Sequence, residues 1–256
     1  NGEEFRDNAL AVAPDLSDNP PFLRNPFFGA DNNPAAVGYH QSRKVYGGPT
    51  SRPSEVDYSQ IGSFDNFSNS YVLNAADAFN TDLVAQEQGR IKHLLSFNDL
   101  LIFTNANLWS VSSGDSGFSF DTVKQLKRTQ MGCSEVAPLI ISERIVFEET
   151  HGERILSAQF NFGTDGYITD NLTIFAPHLL KPGKLKQWAS VPWPEPITYG
   201  VTQDGRVIVL TYNPEEKVQV TGWCQWDTDG TFESVASIRP SITDRQKVPY
   251  FVVKRT

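Results

Sequence analysis

The chain has 256 residues, of which 39% are hydrophobic and 20% charged. That is enough apolar material for a packed core and too little charge for a disordered chain. Its 22 basic and 30 acidic residues leave a net charge of −8, which argues against a surface built to grip phosphates. No apolar run approaches membrane-spanning length and no signal peptide is visible; a start at Asn1 without methionine is what removal of an upstream segment would leave.

Residues 1–36 hold five of the 16 prolines (Pro14, Pro20, Pro21, Pro26, Pro34) among several Asn and Asp, and read as an extended, irregular arm. Phe22, Phe27 and Phe28 are suited to pinning that arm onto a neighbour, because an extended segment cannot bury them within itself. Residues 37–256 read as one β domain rich in Phe, Tyr and Trp. Val37–Tyr46 is expected as a short strand closed by Gly47-Gly48-Pro49, and Val56–Ser59 as a second. Gly62–Phe67 is expected as a turn with Phe64 and Phe67 facing inward. Residues 68–90 are open to either a helix or a strand, with Gly89 ending it.

From Ile91 onward short strands alternate with turns. Ile91–Leu95 and Leu100–Thr104 flank Asn98-Asp99, followed by Leu108–Val111 and Phe118–Leu126. Pro138–Ser142 and Ile145–Glu149 flank Glu143-Arg144; Arg154–Asn161 and Tyr167–Thr169 flank Asp165-Gly166. Leu172–Leu180 is predicted as one short helix, stopped by Pro182-Gly183. Thr198–Thr202 and Val207–Tyr212 flank Asp204-Gly205, with alternation in Val207, Val209 and Thr211. Val218–Asp227 and Phe232–Ile238 flank Asp229-Gly230, and Tyr250–Lys254 closes the chain. Such an array predicts an all-β fold, a propeller-like array of antiparallel sheets.

No motif assembles a catalytic, cofactor-binding or metal site. Gly114-Asp115-Ser116-Gly117 resembles a protease nucleophile turn, but neither His40 nor His93 lies in the context that a general base requires. Ser113-x-Asp115-x-Gly117-x-x-Phe120 fits the Asp-box better, a structural hairpin turn with the aromatic packed beneath it. Glu148, Glu149, His151 and Glu153 are expected at a solvated hairpin tip, because strand alternation splits them across two faces. Trp109, Trp188, Trp193, Trp223 and Trp226 are read as core or inter-blade packing rather than a sugar platform; Trp223 and Trp226, three apart, point to opposite faces. Cys133 and Cys224 have no metal spacing and are expected to be buried free thiols.

The run Tyr39-His40-Gln41-Ser42-Arg43-Lys44-Val45-Tyr46-Gly47-Gly48 resembles the tail tubular protein B, or tail nozzle, family of short-tailed bacteriophages. Further matches follow in order. They include Pro53, Val56, Ser59 and Gly62–Phe67, then Ile91–Leu94, Leu101–Thr104, Trp109–Val111 and Gly132-Cys133-Ser134 before Pro138. Thr169–Leu172, His178-Leu179, Pro192–Pro196, Asp204-Gly205, Leu210–Tyr212, Val220, Trp223 and Asp229-Gly230 complete the series. The arm and residues 68–90 do not match, and the family's members are longer, so the resemblance implies a fragment or trimmed form. It implies a non-enzymatic structural protein of the virion tail, without cofactors, in a homo-hexameric ring. That ring would touch an adaptor ring and tail fibres and let DNA pass without specific binding. An acidic lumen suits such passage by repelling phosphates. The alternative is a carbohydrate-binding or sialidase-like β-propeller, to which the Asp-box and the tryptophans point.

Overall fold

The computed structural model describes residues 26–27, 29–70, 72–87, 89–114, 117–214, 220–241, 243–244 and 246–255. They form strands β1 to β18 in five antiparallel sheets, with no α-helix among the described residues. The all-β class is therefore as expected. Four sheets are four-stranded meanders whose spatial order follows the chain, the strand order of a propeller blade. The chain divides into two compact units, Asn1–Phe103 with Trp109–Leu126, and Thr104–Leu108 with Lys127–Thr256.

In the first unit, β1 (Ala36–His40), β2 (Arg43–Gly47), β3 (Glu55–Tyr58) and β4 (Phe79–Asp82) form one meander. The single strand expected over Val37–Tyr46 is thus a hairpin. Gln41 and Ser42 both take left-handed backbone (φ 43° and 61°), the requirement of a two-residue primed turn, without the usual Asn-Gly. Among its described residues the open stretch 68–90 contains β4 and no helix. Phe67 is buried, but Phe64 is exposed and meets Tyr39 edge-on at 5.3 Å. The second meander is β5 (Ile91–Ser96), β6 (Leu100–Thr104), β7 (Leu108–Ser112) and β8 (Lys124–Thr129). β8 starts six residues later than the predicted Phe118, because Ser119 and Thr122 fold 118–123 into a side-chain-bonded turn. β6 is buried at every position, and Leu100 and Ile102 meet Val45, Val56, Tyr58 and Trp109 in the core. Each such side chain contributes about 1.5–3 kcal/mol on burial.

The second unit holds β9 (Leu139–Ile141), β10 (Arg144–Glu148), β11 (Ile155–Asn161) and β12 (Gly166–Asn171) as one meander. β13 (Leu185–Val191), β14 (Ile197–Thr202), β15 (Val207–Asn213) and β16 (Val220–Trp226) form another. The last sheet is the ribbon of β17 (Thr231–Ile238) and β18 (Val248–Lys254). β15 is buried on both faces: Ile208, Leu210 and Tyr212 pack with Trp188, while Val207 and Val209 pack with Tyr199 and Val235. The alternation read in this strand was therefore only half of its pattern, as suits a strand covered on two sides.

Two other expectations fail here. In place of a helix over 172–180 there is one 3-10 turn, Pro177–Leu179. Asn171 holds the Thr173 amide and hydroxyl at 2.9 Å and Thr173 accepts from the Ile155 amide, so the segment is tied to β11 before a helix could start. Asp229-Gly230 is not a hairpin turn: β16 pairs with β15 and β17 with β18. Gly230 (φ 131°) instead links two sheets, and a Cβ there would lie 2.4 Å from the Lys254 carbonyl oxygen.

Candidate functional site

The residues that open the family resemblance form the most elaborate polar site in the first unit. The Gln41-Ser42 turn delivers Arg43 into the core, where it is fully buried. Its Nε donates to the Phe118 carbonyl (3.0 Å), Nη1 to those of Ser59 (2.6 Å) and Asp77 (2.7 Å), and Nη2 to that of Ala75 (2.7 Å). The guanidinium also lies 5.0 Å from the Phe79 ring centre. Burial lowers its pKa and the Asp77 charge opposes that shift. Asp77 accepts from the amides of Ser70 (3.1 Å) and Asn74 (2.8 Å) and from the Ser70 hydroxyl. One cation and one carboxylate thus fix a loop, 59–78, whose described residues form no strand or helix.

His40, beside it, is buried. Its Nδ1 is 2.8 Å from Ser96 Oγ, its Nε2 has no partner among the described residues, and its ring meets Phe118 edge-on at 5.1 Å. Burial lowers its pKa, so the imidazole is neutral near pH 7. The sequence pattern sets His40 beside Ser116 only; Ser96, 56 residues away, comes within reach because β1 packs against β5 of another sheet. The pair has the reach of a nucleophile and base, but no carboxylate orients the ring among the described residues. Asp115 and Ser116 lie outside the described residues. Phe120 of the Asp-box is exposed rather than packed beneath its turn, and Phe118 is the buried aromatic instead.

In the second unit the hairpin tip differs from expectation. Glu148 and Glu149 are buried, while His151 and Glu153 are exposed. Glu148 Oε1 accepts from the Leu185 amide at 2.9 Å. Burial pushes its pKa up, against the Ser134 and Leu185 hydrogen bonds and nearby Lys184. Glu149 takes a two-pronged contact from Arg154, 2.6 Å on each side. Alternation fails here because the strand ends at Glu148, and the turn residue Glu149 bridges back to Cys133. Gly132 fills a contact no side chain could: a Cβ would lie 2.0 Å from the Asn105 carbonyl oxygen and 2.3 Å from Thr150 Oγ1. Cys133 is buried, but Cys224 is exposed, contrary to expectation, because its strand β16 lies at the edge of its sheet.

Trp109 and Trp188 are buried, and Trp223 is half-buried against the same core as Trp188. Trp188 Nε1 donates to the Ala137 carbonyl (2.6 Å) and Trp223 Nε1 to that of Leu172 (2.8 Å). Trp226 lies on the opposite face, 5.5 Å from Tyr199, and is exposed along with Trp193. Phe27 packs edge-on against Tyr46 (4.7 Å) and Phe67 (5.3 Å) of its own unit; Phe22 and Phe28 lie outside the described residues. No group of three or more His, Cys, Asp or Glu among the described residues could hold a metal ion. No helix among them is long and apolar enough to cross a membrane. An apolar cavity lined by Trp188, Thr198 and Leu210 has about 10 Å³, the scale of one water.

No family model matches the chain, and no curated protein matches it. Among solved structures it is similar to a chain in the crystal structure of Kap60 bound to yeast RCC1 (Prp20), with TM-score 0.41, 11% identity and 78% of this chain covered. This chain spans about half (51%) of that one. It is also similar to a luciferin-regenerating enzyme, with TM-score 0.33, 9% identity, and 93% of this chain and 94% of that one covered.

Proposed function

We propose that this chain is a structural, non-enzymatic protein of a phage tail, one subunit of the hexameric nozzle ring through which genomic DNA leaves. The observation that carries the reading is the ordered resemblance to the tail nozzle family over residues 37–256. The chemistry of the matching residues agrees with it. Arg43 is occupied by four backbone carbonyls, Gly132 by a backbone contact and Trp223 by a core position and a carbonyl. Residues matched in this way maintain an architecture rather than turn over a substrate. The net charge of −8 suits a conduit that DNA slides through without being held. The adaptor ring and the tail fibres are the partners this reading assigns. The test is imaging of intact virions carrying a label on this protein. Label at the tail tip is the expected result; label on the capsid shell, or none on the particle, overturns the reading.

A further inference from the structure

Four sheets have four strands, but β17–β18 has two, and among the described residues each of its strands has a single partner. One face of this ribbon is covered, where Phe232, Val235 and Phe251 pack with Tyr199. The other is apolar and open: Ile238 is 54% exposed, Val248 38%, Tyr250 47% and Val252 59%. The outer edge of β18, unpaired among the described residues and bordering this open apolar face, is a template for another strand. It is framed by exposed cations, Lys247 before β18 and Lys254-Arg255 at its end. Residues 239–255 hold five basic side chains and one acidic one in a chain of net charge −8.

The same sequence contains the complement. Residues 1–18 hold five acidic side chains (Glu3, Glu4, Asp7, Asp15, Asp18) and one basic one, Arg6. Their apolar run Ala9-Leu10-Ala11-Val12-Ala13 is framed by Asp7 and Asp15. Pro14 biases Ala13 towards extended backbone, and in an extended run Leu10 and Val12 share one side. Asp15 lies eight positions after Asp7, and Arg255 eight positions after Lys247. Both are spans of about 26 Å in a strand.

We propose that residues 7–15 of a second copy add as a strand to the free edge of β18. Asp7 and Asp15 then lie at its two basic ends, with Leu10 and Val12 beside Tyr250 and Val252. Backbone hydrogen bonds supply affinity and the charged ends fix the register. An N-terminal segment on a C-terminal ribbon is a head-to-tail contact, the kind that closes into rings. The second copy comes from the nozzle reading, on which this contact rests.

The test uses the full chain, mixed from isotopically light and heavy preparations, treated with a zero-length carbodiimide and mapped by mass spectrometry. Light-to-heavy links from Asp7 or Asp15 to Lys247 or Lys254 are expected. Sedimentation then compares the Lys247→Glu/Lys254→Glu and Asp7→Lys/Asp15→Lys variants. Each should associate roughly tenfold more weakly, and the combined four-site variant should recover. Links confined to one copy, no links, a chain that stays monomeric, or a four-site variant as weak as its parents would each overturn the contact. Links between copies of a protein absent from the virion tail would remove the nozzle reading and leave the contact standing. Tail-tip labelling without such links would do the reverse.

Discussion

Arg43 is a cation buried in the first unit and Glu148 a carboxyl buried in the second, and the difference between them lies in what each can do with its proton. Arg43 cannot shed its charge at any pH a protein survives, so its four carbonyl partners are obligatory. Glu148 can neutralise itself, and burial already pushes it that way despite the Leu185 amide and Ser134. The permanent charge therefore organises an irregular loop, while the titratable one reinforces strands that pair without it.

The sharpest way to break this contrast is Arg43→Met. It removes the cation and strands the carbonyls of Ser59, Ala75, Asp77 and Phe118, and we predict a loss of about 3–5 kcal/mol in stability by denaturant unfolding. A midpoint like the parent's would mean the guanidinium is not the anchor of the 59–79 loop. Gly132→Ala comes next. Its Cβ meets backbone, which cannot swing aside, so a loss of about 1–3 kcal/mol is expected. An unchanged melting temperature would contradict the close approach to Asn105.

The smallest effect is expected of Glu148→Gln, within about 1 kcal/mol at neutral pH, because the amide oxygen can still accept from Leu185. Its value is in the pH profile. A raised carboxyl pKa gives a stabilising contribution that is present below the unfolded value of about 4.3 and lost as pH rises through the folded value. The parent should therefore lose stability relative to Glu148→Gln as pH rises from about 4. His40 acts with the opposite sign. Its lowered pKa gives a contribution that is present above about 6.5 and lost as pH falls through the folded value. Replacing His40 with Gln should flatten the acid limb between those pH values, and identical limbs in parent and variant would dismiss the role of its burial.

Much of the fold was legible because strands advertise themselves locally. Leu100–Thr104 between turn signals, and Asp204-Gly205 between two apolar runs, needed nothing from outside to be read correctly. What was missed depends on partners distant in sequence. Gln41 and Ser42 carry no turn signature, and their left-handed backbone is enforced by the pairing of β1 with β2. Leu185–Val191 has a mixed pattern, Leu-Lys-Gln-Trp-Ala-Ser-Val, and becomes a strand because β14 pairs with it. The polar sites were harder still. That His40 meets Ser96, or that Glu148 holds Leu185, 37 residues on, is invisible to any spacing rule.

The meander order of the sheets also bears on how the protein is made. Each sheet pairs only strands that follow one another along the chain, so its last strand completes it without waiting for later sequence. As the polypeptide leaves the ribosome, one sheet can close its hydrogen bonds before the next is synthesised, which shortens the time that unpaired strand edges are exposed to aggregation. The two-stranded ribbon at the C-terminal end is the last of these to emerge and forms when the earlier sheets are already available for it to pack against.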